Sequence, residues 1–261
     1  MDDLLYRVDF RLLAFLTFLA FAAAAELGLR LGLRAGGEND GLRTLMNGVG
    51  AAMLGILGLL LGFTMSMAVA RWDDRHQFVV EEANAIGTLW LRAGLLDSGT
   101  RDDLRATLVA YTKTRIDFAS GEGAAERIGA AQQESDRILA KVWSDVEGAA
   151  AAAANPAVIS LTVSAANDLI DLSEKRLSSY ENHLPPTVMF LLVFLGCVAL
   201  GFIGWSFGAA NHRRRSAILV LAFSLVLALT FLMDLNRPQR GAFVVGVKPF
   251  ERLLATIAPP G

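Results

Sequence analysis

The sequence predicts an all-α, polytopic membrane protein with four transmembrane helices and a helical insertion between the second and third. Of its 261 residues, 54% are hydrophobic, above the roughly 45–50% that soluble domains carry. Four apolar runs are long enough to cross a bilayer, which takes about 20 residues. The polar region between the second and third runs has helical periodicity and no strand-like alternation.

The apolar runs cover approximately residues 10–29, 45–70, 187–210 and 217–235. The first is predicted to be a retained anchor, because its apolar core is long and no small-x-small cleavage motif follows it. The predicted organisation is a first transmembrane hairpin (1–71), a helical extramembrane insertion (72–185), a second transmembrane hairpin (186–237) and a C-terminal tail (238–261).

Within the insertion, apolar residues at spacings of seven, four, three and four predict that one helix face is buried. These residues are Trp72, Val79, Ala83, Ile86 and Trp90. After a break at Gly99, Thr100 and Asp103 form a capping-box pattern that predicts the start of the next helix. A third helix is predicted from about Ala124 through the alanine tract 149–154.

A fourth helix is predicted to begin at Asn155 and Pro156, because asparagine is a favoured N-cap and proline suits the first helical position. It should end at the Pro185-Pro186 pair.

Composition and motifs argue against several functional classes. The net charge of −2 argues against a nucleic-acid partner. The single cysteine, Cys197, allows no internal disulfide. No nucleotide-binding loop or hydrolase motif occurs. The histidines at 76, 183 and 212 lie far apart, so no metal site is expected. We therefore expect no catalytic residues, no cofactor and no enzymatic activity.

Two acids, Glu26 and Asp234, lie near the ends of predicted spans. An ionisable group in a membrane is costly and draws attention to function. Each acid has two interpretations, an interfacial ion pair or a charge along a permeation path. For Asp234, the nearest candidate partners are Arg237 and Arg240.

The second span carries glycine at seven-residue intervals, at Gly48, Gly55 and Gly62, and Gly58 forms a G-x-x-x-G pair with Gly62. Such spacing lets helix backbones approach closely. It also suits a helix that lines a pore with copies of itself, where apolar rings gate ion flow by dewetting. Candidate rings are Leu59, Phe63 and Met67, or Ile56 and Leu60.

The same helix should continue without a break to about Leu96. Where it leaves the apolar run it carries an exit motif, Arg71, Trp72, Asp73, Asp74 and Arg75. With Glu81 and Glu82 supplying further charge, this segment is either a solvated face with intrahelical ion pairs or the mouth of a vestibule that conditions passing ions.

Four spans put both termini and the insertion on one side. Ten flanking Lys and Arg residues lie on that side and six on the other, which favours a cytoplasmic insertion. The Arg213–Arg215 cluster in a short opposite loop argues the other way.

Three stretches resemble the bestrophin-like domain family of bacterial membrane proteins. They are LLLGFTMSMAVARWDDRHQFVVEEANAIGTLWLRAGLL, LIDLSEKRLSSYENHLP and LMDLNRPQRGAF, in the order of that family. Residues 62–72 are also similar to bestrophins, pentameric anion channels with cytosolic helical domains, whose second span carries Gly-Phe and then, after seven residues, Arg-Trp.

In bestrophins the second span forms a narrow apolar constriction of the pore, called the neck. The resemblance implies that Phe63 is a neck residue and that Leu59 stands where bestrophins have an aromatic neck residue. Gly55 falls at the next neck position, where a bulky apolar residue is expected. The acids of the bestrophin calcium site have no clear match after Asp234. The resemblance therefore does not imply calcium activation.

The leading hypothesis is an oligomeric, bestrophin-like anion channel of the bacterial inner membrane, a pentamer by resemblance, with the lipid bilayer and inorganic anions as partners. The alternative is a non-conducting membrane scaffold or sensor whose insertion binds a protein. The two differ in the second span, whose glycine stripe faces an axis in a pore and is buried against the other spans in a scaffold.

Overall fold

The computed structural model describes residues 10–35, 40–120, 125–152, 155–210, 215–236 and 243–258. Within these ranges the chain forms helices and no strand, as the sequence predicts. The helices are α1 (Phe10–Ala35), α2 (Asp40–Ala93), α3 (Ser98–Ser120), α4 (Ala125–Ala152), α5 (Pro156–Glu181), α6 (Pro186–Ala209), α7 (Arg215–Leu235) and α8 (Lys248–Ile257).

The chain divides into two units. The membrane unit comprises Met1–Ala70 and His183–Arg237, and the insertion unit comprises Arg71–Asn182 and Pro238–Gly261. Four stretches of described helix are long and apolar enough to cross a membrane: Arg11–Ala35, Gly41–Ala93, Pro156–Ala209 and Arg215–Leu235. Helix α2 begins in the membrane unit and ends in the insertion unit.

In the membrane unit, α1 packs along α6, and α7 contacts both. Glycine permits the close approach of α1 and α6. A Cβ on Gly204 would lie 2.1 Å from the carbonyl oxygen of Ala25, and one on Gly28 would lie 2.0 Å from that of Gly201. No side chain fits at these distances, so this seam depends on small residues, as close helix contacts in membranes do.

In the insertion unit, apolar residues from α2, α3, α4, α5 and α8 form one core. The predicted face of α2 is confirmed, because Val79, Ala83 and Ile86 are buried and both Trp72 and Trp90 pack against the same core. Residues 238–261 are predicted from the sequence to be a tail. The structure adds α8, whose Phe250 is fully buried in this core.

The helix boundaries follow local capping chemistry. The Asn155 side chain accepts a hydrogen bond from the Ala157 amide and Pro156 occupies the first turn, as predicted. The capping box at Thr100 and Asp103 is wrong. Helix α3 begins earlier, and the Thr100 amide donates to Asp97 Oδ2 at 3.1 Å, a bond that lowers the pKa of Asp97. An acceptor one turn upstream captures the free amides first.

Candidate pore-lining helix and its exit motif

One face of α2 in the membrane unit is open. Ile56, Leu59, Phe63 and Met67 are exposed, and Phe63 is 63% accessible. Leu59, Phe63 and Met67 follow one another at intervals of four residues, so their side chains lie above one another along the helix. These three proposed ring residues therefore share one stripe that the rest of the chain does not cover, whereas Leu60 of the alternative ring is half-buried.

The opposite face of α2 is packed inside the chain. Leu57, Thr64 and Ala68 are buried, and a Cβ on Gly50 would lie 3.2 Å from Phe202 on α6. Leu57 and Leu59 are two positions apart, about 200° around a helix of 3.6 residues per turn. The fold of the chain thus fixes which side of α2 turns inward and which turns outward.

Four glycines of α2 lie outside the tight seams of the chain. A Cβ placed on Gly48, Gly55, Gly58 or Gly62 would meet nothing within 4 Å. Close packing against the other spans of the same chain is therefore not what these glycines do. Within the described chain that role belongs to the seam between α1 and α6, a pairing that the sequence analysis did not anticipate although α1 and α6 both carry glycine at helical spacing.

In the exit motif, Arg75 is buried and binds backbone carbonyl groups at the end of α5. Its side chain is buried, and it donates from Nε to the carbonyl oxygen of Ser179 at 2.9 Å and from Nη2 to that of Asn182 at 3.0 Å. These carbonyls lie at the C-terminal end of α5, where helix carbonyls lack intrahelical partners. Arg75 therefore ties the end of α5 to α2.

The other residues of the motif are more accessible. Asp73 and Asp74 are exposed, and Trp72 stacks on His76 with ring centroids 6.1 Å apart. Arg71 is half-buried, and its Nη1 atom is buried without a hydrogen-bond partner among the described residues. Arg71 lines a cleft of about 510 Å³ together with Asp74, Phe78 and five residues of the 174–182 segment.

Glu82 belongs to a buried charge cluster and not to a solvated face. Its carboxylate lies 2.8 Å from Arg115 Nε and 2.7 Å from Arg176 Nη1, and it accepts the Tyr111 hydroxyl at 2.6 Å. Burial would raise the pKa of Glu82, but the charges of Arg115 and Arg176 outweigh it and lower that pKa. Burial, reinforced by Glu82, raises the pKa of Tyr111. Glu82 is thus ionised at neutral pH and pairs with both arginines in the core of the insertion unit.

The boundary acids differ in their surroundings. Glu26 accepts from Arg30 at 2.9 Å and from Arg215 at 3.0 Å, so it forms the ion pair expected under the interfacial interpretation. Asp234 lies on α7, half-buried, while its proposed partners Arg237 and Arg240 lie outside the described residues. The described part of the chain contains no group of three or more His, Cys, Asp or Glu residues placed to hold a metal ion.

Comparison with known families decides the relationship. A sequence model of the Bestrophin-like domain matches residues 16–250. The chain belongs to the bestrophin-like family. Its apolar helices make it a multi-pass membrane protein. No match was found among curated protein sequences.

The fold of the family member resembles solved bestrophin structures. A mutant of a bacterial bestrophin homologue from Klebsiella pneumoniae is 11% identical, with a TM-score of 0.67 and 96% of each chain covered. A second mutant of the same homologue is 12% identical, with a TM-score of 0.66 and coverage of 93% of this chain and 95% of that one. At this identity the likeness establishes a shared fold and leaves function to be argued from the residues.

Proposed function

We propose that the protein is an oligomeric bestrophin-type channel of the bacterial inner membrane. Copies of α2 surround a conduction axis, and anions are the conducted class. The number of copies expected from the family resemblance is five. Both termini and the insertion lie in the cytoplasm, as the distribution of Lys and Arg favours.

The observation that carries this proposal is the open face of α2. Leu59, Phe63 and Met67 project from the side opposite to buried Leu57 and Ala68, and the glycines beside them meet no atom of the subunit. Exposed apolar residues alone would also suit contact with lipid, as at Phe223 on α7, so the open glycines beside them are the feature that favours contact with further copies. An open stripe of glycine and bulky apolar residues is suited to contact with further copies, where small residues permit approach and the large ones face the axis.

The proposed constriction is short and apolar. Leu59, Phe63 and Met67 are four residues apart, so their rings would stack over about 12 Å at a rise of 1.5 Å per residue. Gly55, one turn before Leu59, carries no side chain to extend the constriction. An apolar ring narrow enough to shed water blocks hydrated ions, so Leu59 and Phe63 are the positions where side-chain size controls flux.

At the exit, Arg71 is the residue placed to attract anions. Its side chain is half-buried and lines the cleft beside Asp74 and Phe78, whereas Arg75 is occupied by the carbonyls of α5. We assign Arg75 to holding α5 in place. The exposed carboxylates of Asp73 and Asp74 oppose the field of Arg71.

The test is ion flux into liposomes that contain the purified protein. Replacement of Phe63 or Leu59 by alanine widens the proposed constriction, so each variant should conduct more than the wild type. Phe223 on α7 is the matched control, because it is 60% exposed against 63% for Phe63, and Phe223→Ala should leave flux unchanged. Equal flux in all four proteins would remove the neck assignment.

A further inference from the structure

A cleft between α1 and α7 combines a charged end with an apolar wall. Its volume is about 280 Å³. The lining residues are Ala22, Ala25, Glu26, Leu29, Arg30, Arg215, Ile218 and Leu219. All of them belong to the membrane unit, and the charged residues lie where both helices reach the end of their apolar runs.

The charged end has an excess of one positive charge. Arg30 and Arg215 share a single carboxylate, that of Glu26, with contacts of 2.9 and 3.0 Å to the same oxygen, Oε1. The two arginine side chains are 68% and 62% exposed. A guanidinium carries five N–H donors in a planar fork, so the contact with Glu26 leaves donors on both residues directed to the surroundings.

The chemistry of the cleft matches one class of molecule. Arginine pairs bind phosphate oxygens through charge-assisted hydrogen bonds, and the wall of alanine, leucine and isoleucine suits an acyl chain. Basic pockets between transmembrane helices bind anionic lipid head groups on the cytoplasmic side, and the same chemistry applies to this cleft, which in the proposed orientation opens at the opposite leaflet. We propose that this cleft binds an anionic phospholipid, with its phosphate between Arg30 and Arg215 and an acyl chain along Ala22 and Leu219.

In this proposal Glu26 controls how strongly the cleft binds the lipid phosphate. In the empty cleft it holds the two guanidinium groups together, and it competes with an incoming phosphate for their donors. Removal of this carboxylate should strengthen binding of an anionic lipid, while removal of either arginine should weaken it. This opposite response distinguishes the site from a general loss of structure, which would weaken binding in every variant.

The experiment is native mass spectrometry of the full-length protein released from nanodiscs that contain phosphatidylglycerol and phosphatidylcholine. The wild type should retain phosphatidylglycerol preferentially. Arg215→Gln should reduce that retention roughly tenfold or more, the value of a lost hydrogen bond to a charged group. Glu26→Gln should increase it.

Two further variants separate a built site from surface charge. Arg34→Gln removes the same charge from the same end of α1 without touching the cleft, so retention should stay near that of the wild type. Ala22→Phe leaves the charge unchanged and fills the apolar wall, so retention should fall. Circular dichroism and the subunit count confirm that each variant is folded and assembled.

Several results would overturn the proposal. One is equal retention of the two lipids by the wild type, and another is an equal loss in Arg34→Gln and Arg215→Gln. Full retention by Ala22→Phe would show that no acyl chain lies in the cleft. Displacement of the lipid by inorganic phosphate at matched concentration would identify the ligand as a free anion. A changed subunit count in Ala22→Phe would identify this face as a contact between copies of the chain.

Discussion

The buried cluster around Glu82 gives the sharpest prediction about stability. Replacement of Glu82 by glutamine keeps the volume of the side chain but removes its negative charge. Arg115 and Arg176 are then left with two positive charges in the core, at side-chain exposures of 1% and 0%. The hydroxyl of Tyr111 also loses its charged acceptor.

Removal of one partner from a buried ion pair costs about 3–5 kcal/mol. Because this one substitution removes the carboxylate that both arginines contact, we expect the free energy of unfolding to fall by the upper value, about 5 kcal/mol. For a chain of this size each kcal/mol shifts the melting temperature by about 2–4 °C, so Glu82→Gln should melt roughly 10–20 °C below the wild type.

The assay is thermal unfolding in detergent, followed by intrinsic tryptophan fluorescence, since Trp90 and Trp143 pack against the insertion core. The matched control is Glu81→Gln at the adjacent position, where the carboxylate only accepts from exposed Gln77. Glu81→Gln should lower the free energy of unfolding by less than about 1 kcal/mol.

A double variant gives an internal check. Arg115→Gln added to Glu82→Gln removes one of the two uncompensated charges and should recover part of the lost stability, a non-additivity expected of residues in one network. If Glu82→Gln and Glu81→Gln melted at the same temperature, the reasoning on the buried cluster would be refuted.

Three other predictions concern pH, the membrane seam and the exit motif. Because the pKa of Glu82 is lowered in the folded protein, its contribution to stability is complete above the usual pKa of 4.5 and is lost as pH falls through the lowered value. The melting temperature of the wild type should therefore fall over this acid range, and that of Glu82→Gln should lack this fall. Gly204→Ala should destabilise the membrane unit, because its Cβ would lie 2.1 Å from a carbonyl oxygen, whereas Gly148→Ala on α4 has open space and should not lower the melting temperature. Arg75→Met should cost about 3 kcal/mol through loss of two charged hydrogen bonds, and protease cleavage near the end of α5 should then become faster.

The sequence predicted the helices well because their signals are local. Hydrophobic length marked the spans, and the Asn155–Pro156 pair marked the start of α5. A capping box at Thr100 failed because Asp97, only one turn away, competed for the same amides. Helix α8 was missed although Phe250, Leu253 and Ile257 repeat at three and four residues, because ten residues give too short a pattern to stand out from a tail.

The candidate site was less predictable, since it depends on which helices meet. Spacing alone showed glycines in α2 but could not show that α1 and α6 form the tight seam. The charge pattern of the exit motif suggested an exposed face, yet Arg75 finds carbonyls more than 100 positions away in the chain. Glu82 likewise meets Arg176 across 94 positions. No intrahelical rule anticipates such contacts.

The central claim is that the open face of α2 lines an axis between copies of the chain. Native mass spectrometry of the purified protein in detergent or nanodiscs tests it most directly, by counting subunits. The account predicts a closed ring of at least four copies, with five expected from the family resemblance. A monomer or dimer would leave no axis for α2 to line and would contradict the proposed channel.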